Sequence, residues 1–224
     1  MLQIRLITCP ASLEASHLYA PAHWSPSEKK RWETLTTLRQ RSRFKAARDL
    51  LRSLLIQRWG GKPSDWRLTA EADQPPTVPD RSDCHLSLSH SAHYLLAALG
   101  DAPVGVDIEI HGRTRPIKAM AEQVCHPEER TYLSQLPAIQ AQQAFLRYWT
   151  RKEAWLKARG QGLDFGVMAR LQCQEAPIRT ANVASWQSKC MTLSVFGSEL
   201  AAMDYDWQIP TQPICLGFGV LQPI

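Results

Sequence analysis

The sequence lacks the usual marks of membrane, secreted and disordered proteins. It has no apolar run of ~18 residues, so no transmembrane helix is predicted. It has no low-complexity tract, and its first ten residues lack the basic and long apolar segments of a signal peptide. The six cysteines are scattered without a CxxC pair. These absences favour a cytoplasmic protein with free thiols.

Length and charge narrow the class of protein and partner. A chain of 224 residues, 44% hydrophobic and 21% charged, fits one large globular domain or two small ones. The net charge of +5 favours an anionic partner, which could be nucleic acid, a phosphorylated small molecule or an acidic protein. Charge alone does not choose among the three.

Sequence periodicity predicts a chain of helices and runs of strands. Ser25 as cap, Pro26 in the first turn and Glu28 predict one helix start. The other predicted helices span about 42–59, 116–124, 127–136 and 137–159. The predicted strands span 2–7, 65–70, 85–89, 93–99, 103–110, 167–174, 189–197, 205–209 and 214–221, with a loop at 73–83. Because the strands come in runs, we predict an α+β fold of two halves that meet near 100–104.

Basic side chains are concentrated in the helical region from residue 29 to residue 58. Besides three residues at 29–31, this region carries Arg39, Arg41, Arg43, Lys45, Arg48, Arg52 and Arg58. Such a run forms either a solvated helical surface or a phosphate-binding face.

The motif GVDIE at residues 105–109 carries two acidic side chains on a predicted strand. Alternate residues of a strand face the same side, so Asp107 and Glu109 point one way and Ile108 points into a core. Gly105 permits close backbone approach. The alternative is a pair of separately solvated carboxylates at an exposed strand end.

A third carboxylate lies on the predicted long helix. Glu153 and Lys157 are one turn apart on one face, which fits either a surface ion pair or a functional pair. On the apolar stripe of the same helix, Lys152 is expected to extend its charged end towards solvent. Together with Asp107 and Glu109, Glu153 completes a set of hard oxygen ligands that suits Mg²⁺. This set, beside a basic region, points to Mg²⁺-assisted phosphoryl chemistry.

Three motifs together resemble a known enzyme family. LSLSHS at 86–91, GVDIE at 105–109 and WTRKEAWLKARGQGL at 149–163 match, in order and separation, the Sfp-type 4′-phosphopantetheinyl transferases of the holo-acyl-carrier-protein synthase superfamily. The tryptophan before Lys-Glu-Ala is similar to the W/KEA branch. The resemblance covers residues from about 25 to 165.

The resemblance implies a monomeric pseudo-dimer of two α+β halves, residues 1–103 and 104–224, with coenzyme A and the active site at their interface. The implied reaction is transfer of 4′-phosphopantetheine from coenzyme A to a serine of an apo acyl carrier protein or carrier domain. The implied by-product is adenosine 3′,5′-bisphosphate.

The resemblance also implies roles for individual residues. Mg²⁺ would be held by Asp107, Glu109 and Glu153. Glu153 would be the base for the carrier serine, and Lys157 would contact the transferred phosphate or assist the leaving group. Coenzyme A phosphates would be bound by Arg43, Arg48, Ser89, His90 and, as a further candidate, Arg31. The family usually has Gly-Lys-Pro where this chain has Asp73-Gln74-Pro75, so Gln74 replaces a phosphate-facing lysine.

Two other functions stay open from the sequence. The basic helices would suit a nucleic-acid-binding protein, although exposed aromatics and a known reading motif are lacking and the three carboxylates would go unexplained. A homologue that binds coenzyme A or carrier without catalysis is the other alternative. For the transferase, the apolar side of the helix at 116–124, with Ile117, Met120 and Val124, is the expected carrier contact; the alternative is that these three side chains simply pack into the core.

Overall fold

Two β-sheets and a set of helices make up the fold. The computed structural model describes residues 1–9, 19–72, 74–112, 115–207 and 215–223. Its α-helices are α1 (Pro26–Glu33), α2 (Leu38–Trp59), α3 (Ile117–Val124), α4 (Pro127–Ser134), α5 (Ala138–Ala158) and α6 (Phe165–Arg170). Its strands are β1 (Gln3–Thr8), β2 (His85–Ser91), β3 (Tyr94–Gly100), β4 (Gly105–Ile110), β5 (Leu171–Glu175), β6 (Val183–Gln187), β7 (Met191–Phe196), β8 (Asp204–Trp207) and β9 (Cys215–Pro223). The predicted α+β class is confirmed.

The strands form one mixed sheet and one antiparallel sheet. The first has the order β2-β3-β1-β8, in which only the β1–β8 pair is parallel. The second has the order β4-β7-β6-β9-β5 and is antiparallel throughout. Because β8 lies between β7 and β9 of the second sheet in the chain yet pairs with β1, the two predicted halves share a sheet. Their boundary near 100–104 and their pseudo-dimer relation stay predictions.

Alternation along β4 separates an apolar face from a polar face. Val106 and Ile108 are buried in a core that also contains Leu6 of β1 and Leu96 of β3, so this core joins the two sheets. Asp107 and Glu109 point to the opposite face, where α5 packs. The strand therefore delivers two carboxylates to the underside of a long helix.

Two buried cations fasten α5 to its surroundings. Lys152 does not extend to solvent as expected; it is fully buried, and its Nζ donates to the Glu129 carboxylate of α4 at 2.5 Å. Arg151 is also fully buried and donates to the carboxylate of Glu175 on β5 at 3.0 Å. The prediction for Lys152 was wrong because α4 covers that end of the apolar stripe, where a cation needs an acidic partner in place of water.

The predicted helix starts differ in accuracy. At α1, Ser25 and Glu28 form the predicted capping box. Helix α2 begins four residues earlier than the predicted residue 42, because Thr37 and Gln40 form a second capping box that the prediction missed.

Two predicted strands were wrong in whole or in part. Asp65 ends a short 3-10 helix (Pro63–Asp65), and residues 66–70 are irregular. The backbone there has other partners: the carbonyl of Leu68 accepts from the Ser25 hydroxyl at the cap of α1. Residues 167–170 belong to α6, because the side chain of Asp164 caps that helix by accepting from Val167 N–H. Strand β6 was not predicted, and the predicted strands at 205–209 and 214–221 lie partly outside the described residues.

Within the described ranges, no helix is both long and apolar enough to cross a membrane. The predicted free thiols are confirmed for the cysteines that the structure describes, Cys9, Cys84, Cys125, Cys173 and Cys190.

The contact between β4 and α5 depends on a missing side chain at Gly105. A Cβ built at Gly105 would lie 1.8 Å from the carbonyl oxygen of Ala154 and 2.6 Å from the backbone nitrogen of Ala158. Backbone atoms of a helix cannot yield locally, so any larger residue pushes α5 away from the carboxylate strand.

We expect Gly105→Ala to lower the free energy of unfolding by about 3 kcal/mol or more, measured by urea denaturation. Gly162→Ala is the matched control, because a Cβ at Gly162 meets no described atom within 4 Å. Equal stability of the two variants would contradict the close packing at Gly105.

Candidate active site

Three serines of β2 join the first sheet to β4 of the second. Ser87, Ser89 and Ser91 alternate along the strand and therefore share a face. The hydroxyl of Ser87 accepts from Val106 N–H at 3.0 Å, and that of Ser91 accepts from Ile110 N–H at 3.2 Å. This serine ladder supplies the hydrogen bonds that a neighbouring strand would otherwise make, and it leaves the middle serine facing Asp107.

Asp107, Ser89 and Lys157 form a hydrogen-bonded triangle at the centre of the site. The Ser89 hydroxyl donates to Asp107 Oδ1 at 2.7 Å. Lys157 Nζ donates to the same oxygen at 2.7 Å and to the Ser89 hydroxyl at 3.1 Å. Lys157 thus pairs with Asp107 across the α5–β4 contact. The other oxygen of Asp107, Oδ2, is buried and finds no hydrogen-bond partner among the described residues.

Glu153 lies one helical turn before Lys157, and its surroundings disfavour the ionised form of its carboxyl group. Its pKa is raised to about 7 by burial and by the negative charges of Asp107 and Glu109, against the opposing effect of Lys157. A carboxyl group with this pKa exchanges its proton near neutral pH, as a general base must.

Glu109 is held by a cation that the sequence analysis did not single out. Arg115 Nη2 donates to Glu109 Oε2 at 2.6 Å, and Arg115 Nη1 donates to the Ile110 carbonyl at 3.2 Å. The Ser91 hydroxyl donates to the same carboxylate oxygen at 3.2 Å. Lys157 and Arg115 are therefore the cations seen to pair with Asp107 and Glu109 in the described part of the chain.

A cavity of about 270 Å³ opens beside Lys157. Its walls include Arg48 of α2 and Gln74 of the loop before β2. Arg48 is buried; it donates to the Thr69 carbonyl at 3.0 Å, and its Nε lacks a hydrogen-bond partner in the described ranges. Burial lowers the pKa of Arg48 to about 10, so it remains a cation at neutral pH. An unsatisfied guanidinium N–H in such a wall is suited to an anion.

The remaining basic residues surround the same region. His90 is exposed at the end of β2, and its pKa is lowered by partial desolvation and by the positive charges of Arg43 and Lys157. Arg31 on α1 is exposed and contributes a positive charge that lowers the pKa of Arg48. Cations of α2 and α5 thus line one cavity, and Arg31 of α1 lies near enough to Arg48 to affect its pKa.

Comparison with known proteins relates one segment of the chain to a known family. Residues 103–205, which contain Asp107, Glu109, Glu153 and Lys157, match the model of the 4′-phosphopantetheinyl transferase superfamily. This segment of the chain is therefore similar to that superfamily.

Curated relatives of this superfamily share about half of the chain. It is 37% identical over 127 residues to the 4′-phosphopantetheinyl transferase HetI of Nostoc sp., a match that covers 55% of this chain and 54% of HetI. It is 36% identical over 98 residues to psf-1 of Bacillus pumilus, covering 43% and 41%. It is 29% identical over 116 residues to Sfp of Bacillus subtilis, covering 51% and 50%. The chain therefore spans about half the length of the transferases that it matches.

The superfamily's predicted site residues collect around one region, with one difference in detail. The resemblance assigns Ser89 to coenzyme A, whereas its hydroxyl is engaged by Asp107 and Lys157. Asp73, in the predicted departure Asp73-Gln74-Pro75, lies outside the described residues. Sequence reasoning missed the ladder roles of Ser87 and Ser91, although their alternation in LSLSHS was a usable signal.

Among the described residues, the candidate metal ligands are not already gathered into a site. Within the ranges described, no group of three His, Cys, Asp or Glu side chains forms a metal site. The donor set nevertheless fits a hard cation, because Asp107 has a buried oxygen without a partner and Glu153 carries a carboxylate that its surroundings destabilise. A divalent ion would compensate both.

Without divalent metal, we expect Glu153→Gln to stabilise the protein above neutral pH. The pKa of Glu153 is higher in the folded state, about 7 against 4.5, so wild-type stability falls as pH rises through this interval. The neutral glutamine removes that loss, a gain of about 1–2 kcal/mol at about pH 8. Urea midpoints in the presence of a chelator at about pH 4.5 and about pH 8 measure the difference. The exposed Glu122→Gln is the control; the same pH-dependent gain there would contradict the assignment.

Proposed function

We propose that this chain transfers 4′-phosphopantetheine from coenzyme A to a serine of an apo carrier protein, releasing adenosine 3′,5′-bisphosphate. The observation that carries the proposal is the site itself: Asp107, Glu153 and Lys157 meet beside a cavity walled by the buried cation Arg48. The superfamily match and the transferase relatives support the same reaction.

Mg²⁺ would be held by Asp107 and Glu153, with Glu109 as a third ligand, and would supply charge neutralisation at the pyrophosphate of coenzyme A. The chain's own residues do the remaining work. Glu153 takes the proton of the carrier serine hydroxyl, since its pKa of about 7 is close to working pH. Lys157, fixed by Asp107 and Ser89, donates to the transferred phosphate.

We assign coenzyme A binding to the basic residues around the cavity beside Lys157. Arg48 lines the cavity and has a buried Nε–H without a partner among the described residues, and the charges of Arg43 and Lys157 both act on His90. Arg31 adds a further charge near Arg48. Gln74 lines the same cavity. It is neutral where the family usually has a lysine, so the cavity wall has one positive charge fewer but keeps that of Arg48.

The partner assignments stay predictions. On the expected docking helix α3, Val124 is buried in the core, whereas Ile117 and Met120 are half-buried and pack against the same apolar cluster. Met120 is therefore the residue of this set through which carrier contact is best tested. A monomer, a cytoplasmic location and the absence of a nucleic-acid partner also remain predictions.

Mass spectrometry of apo carrier proteins incubated with coenzyme A and Mg²⁺ tests the reaction. We expect a gain of one phosphopantetheine arm with the wild type and its loss with Asp107→Ala or Glu153→Gln, because each removes charge compensation at the reacting phosphate. Asp80→Asn, a change at an exposed loop residue, is the control and should keep transfer. Wild-type transfer that persists in a chelator would refute the metal-dependent reaction.

A second test concerns the phosphate contacts. We expect Arg43→Ala and His90→Ala to raise the KM for coenzyme A by about 10-fold with a smaller change in kcat, because phosphates held alike in ground and transition states affect affinity most. Steady-state kinetics with coenzyme A and dephospho-coenzyme A provide the measurement. If the wild type uses both co-substrates with the same KM, the assignment of Arg43 to the 3′-phosphate fails.

A further inference from the structure

Arg115 binds the Glu109 carboxylate through a short, partly buried ion pair. The Nη2–Oε2 distance is 2.6 Å, and the exposed fractions of the two side chains are 13% and 23%. A second nitrogen of the guanidinium is anchored on the Ile110 carbonyl at 3.2 Å. Partial burial and this second anchor make the ion pair stronger than one between exposed side chains.

Asp107 and Glu109 face the same side of β4 but differ in their availability to a cation. Asp107 keeps one buried oxygen, Oδ2, without a partner in the described chain. Oε2 of Glu109 receives both the guanidinium and the Ser91 hydroxyl. A metal ion at Asp107 and Glu153 would therefore meet a Glu109 carboxylate that is already paired with Arg115. This agrees with the lack of a preformed three-ligand site among the described residues.

We propose that Arg115 is an internal counter-ion that competes with the divalent metal ion for Glu109. Glu109 then joins the metal site when Arg115 releases it, and Arg115 sets how tightly the protein holds the ion. In the absence of metal, Arg115 relieves the repulsion among the carboxylates. The inference rests on the proposed function for the identity of the metal site, and it adds a residue that tunes that site.

Isothermal titration of the full chain with MgCl₂, without coenzyme A, tests the competition. Four proteins form a double-mutant cycle: the wild type, Arg115→Gln, Glu109→Gln and the double variant. We expect Arg115→Gln to tighten the Kd for Mg²⁺ by about 3–10-fold, the range expected for loss of a half-buried competing ion pair. We expect the same substitution to have no effect once Glu109 is glutamine.

The cycle separates competition from simple charge. If Arg115 acted merely by its field on a nearby cation, its removal would tighten Mg²⁺ binding equally in both backgrounds. Equal tightening would therefore overturn the proposal, as would an unchanged Kd in Arg115→Gln or the absence of Mg²⁺ binding in all four proteins. Arg130→Gln, which removes an exposed arginine of α4, is the charge-matched control and should leave the Kd unchanged.

A further variant guards against misfolding. Arg115→Lys keeps the charge but replaces the two-nitrogen contact by a single donor, so its Kd should fall between those of the wild type and Arg115→Gln. Circular dichroism of each variant verifies the fold. Failure of this proposal is separable from failure of the proposed function: wild-type transfer to a carrier protein is read by mass spectrometry, whereas the competition is read from Mg²⁺ affinity alone.

Discussion

Repulsion among three carboxylates is the constraint on which the site depends. Asp107 and Glu109 come from one strand face and Glu153 from the helix above it, and burial together with the charges of the two strand carboxylates raises the pKa of Glu153. Like charges in a partly desolvated space are stable only with compensation, which two internal cations supply incompletely. The negative charge that these cations leave uncompensated favours binding of a further cation at Asp107 and Glu153.

Holding such charges together requires a stiff frame, and most of the surrounding interactions serve that purpose. The absent side chain at Gly105 lets α5 lie directly on β4. The buried Lys152–Glu129 ion pair, and the contact of buried Arg151 with the exposed Glu175, fix the same helix to its other neighbours. A buried pair costs desolvation, yet breaking one leaves an isolated charge, so these contacts favour a single position of α5.

The sequence predicted the parts of the site that follow from periodicity, and missed those that depend on tertiary packing. Strand alternation was enough to place Asp107 and Glu109 on one face, and helical spacing was enough to align Glu153 with Lys157. The pairing of Lys157 with Asp107 and the burial of Lys152 could not be predicted, because they depend on which helix covers which strand. Arg115 follows β4 without a periodic signal, so its contact with Glu109 was likewise out of reach.

The basic stretch from 29 to 58 shows why a run of charge is not itself a binding surface. Arg52 is buried and gives both of its terminal nitrogens to the Glu28 carboxylate, so it joins α2 to α1. Arg48, one helical turn earlier, is buried beside the cleft with an unsatisfied Nε–H. Both face inward on the same helix, and what distinguishes them is the presence of a carboxylate partner. Because an arginine that already has such a partner gains little from a phosphate, the anion-binding capacity of this region resides in residues such as Arg48 rather than in its net charge.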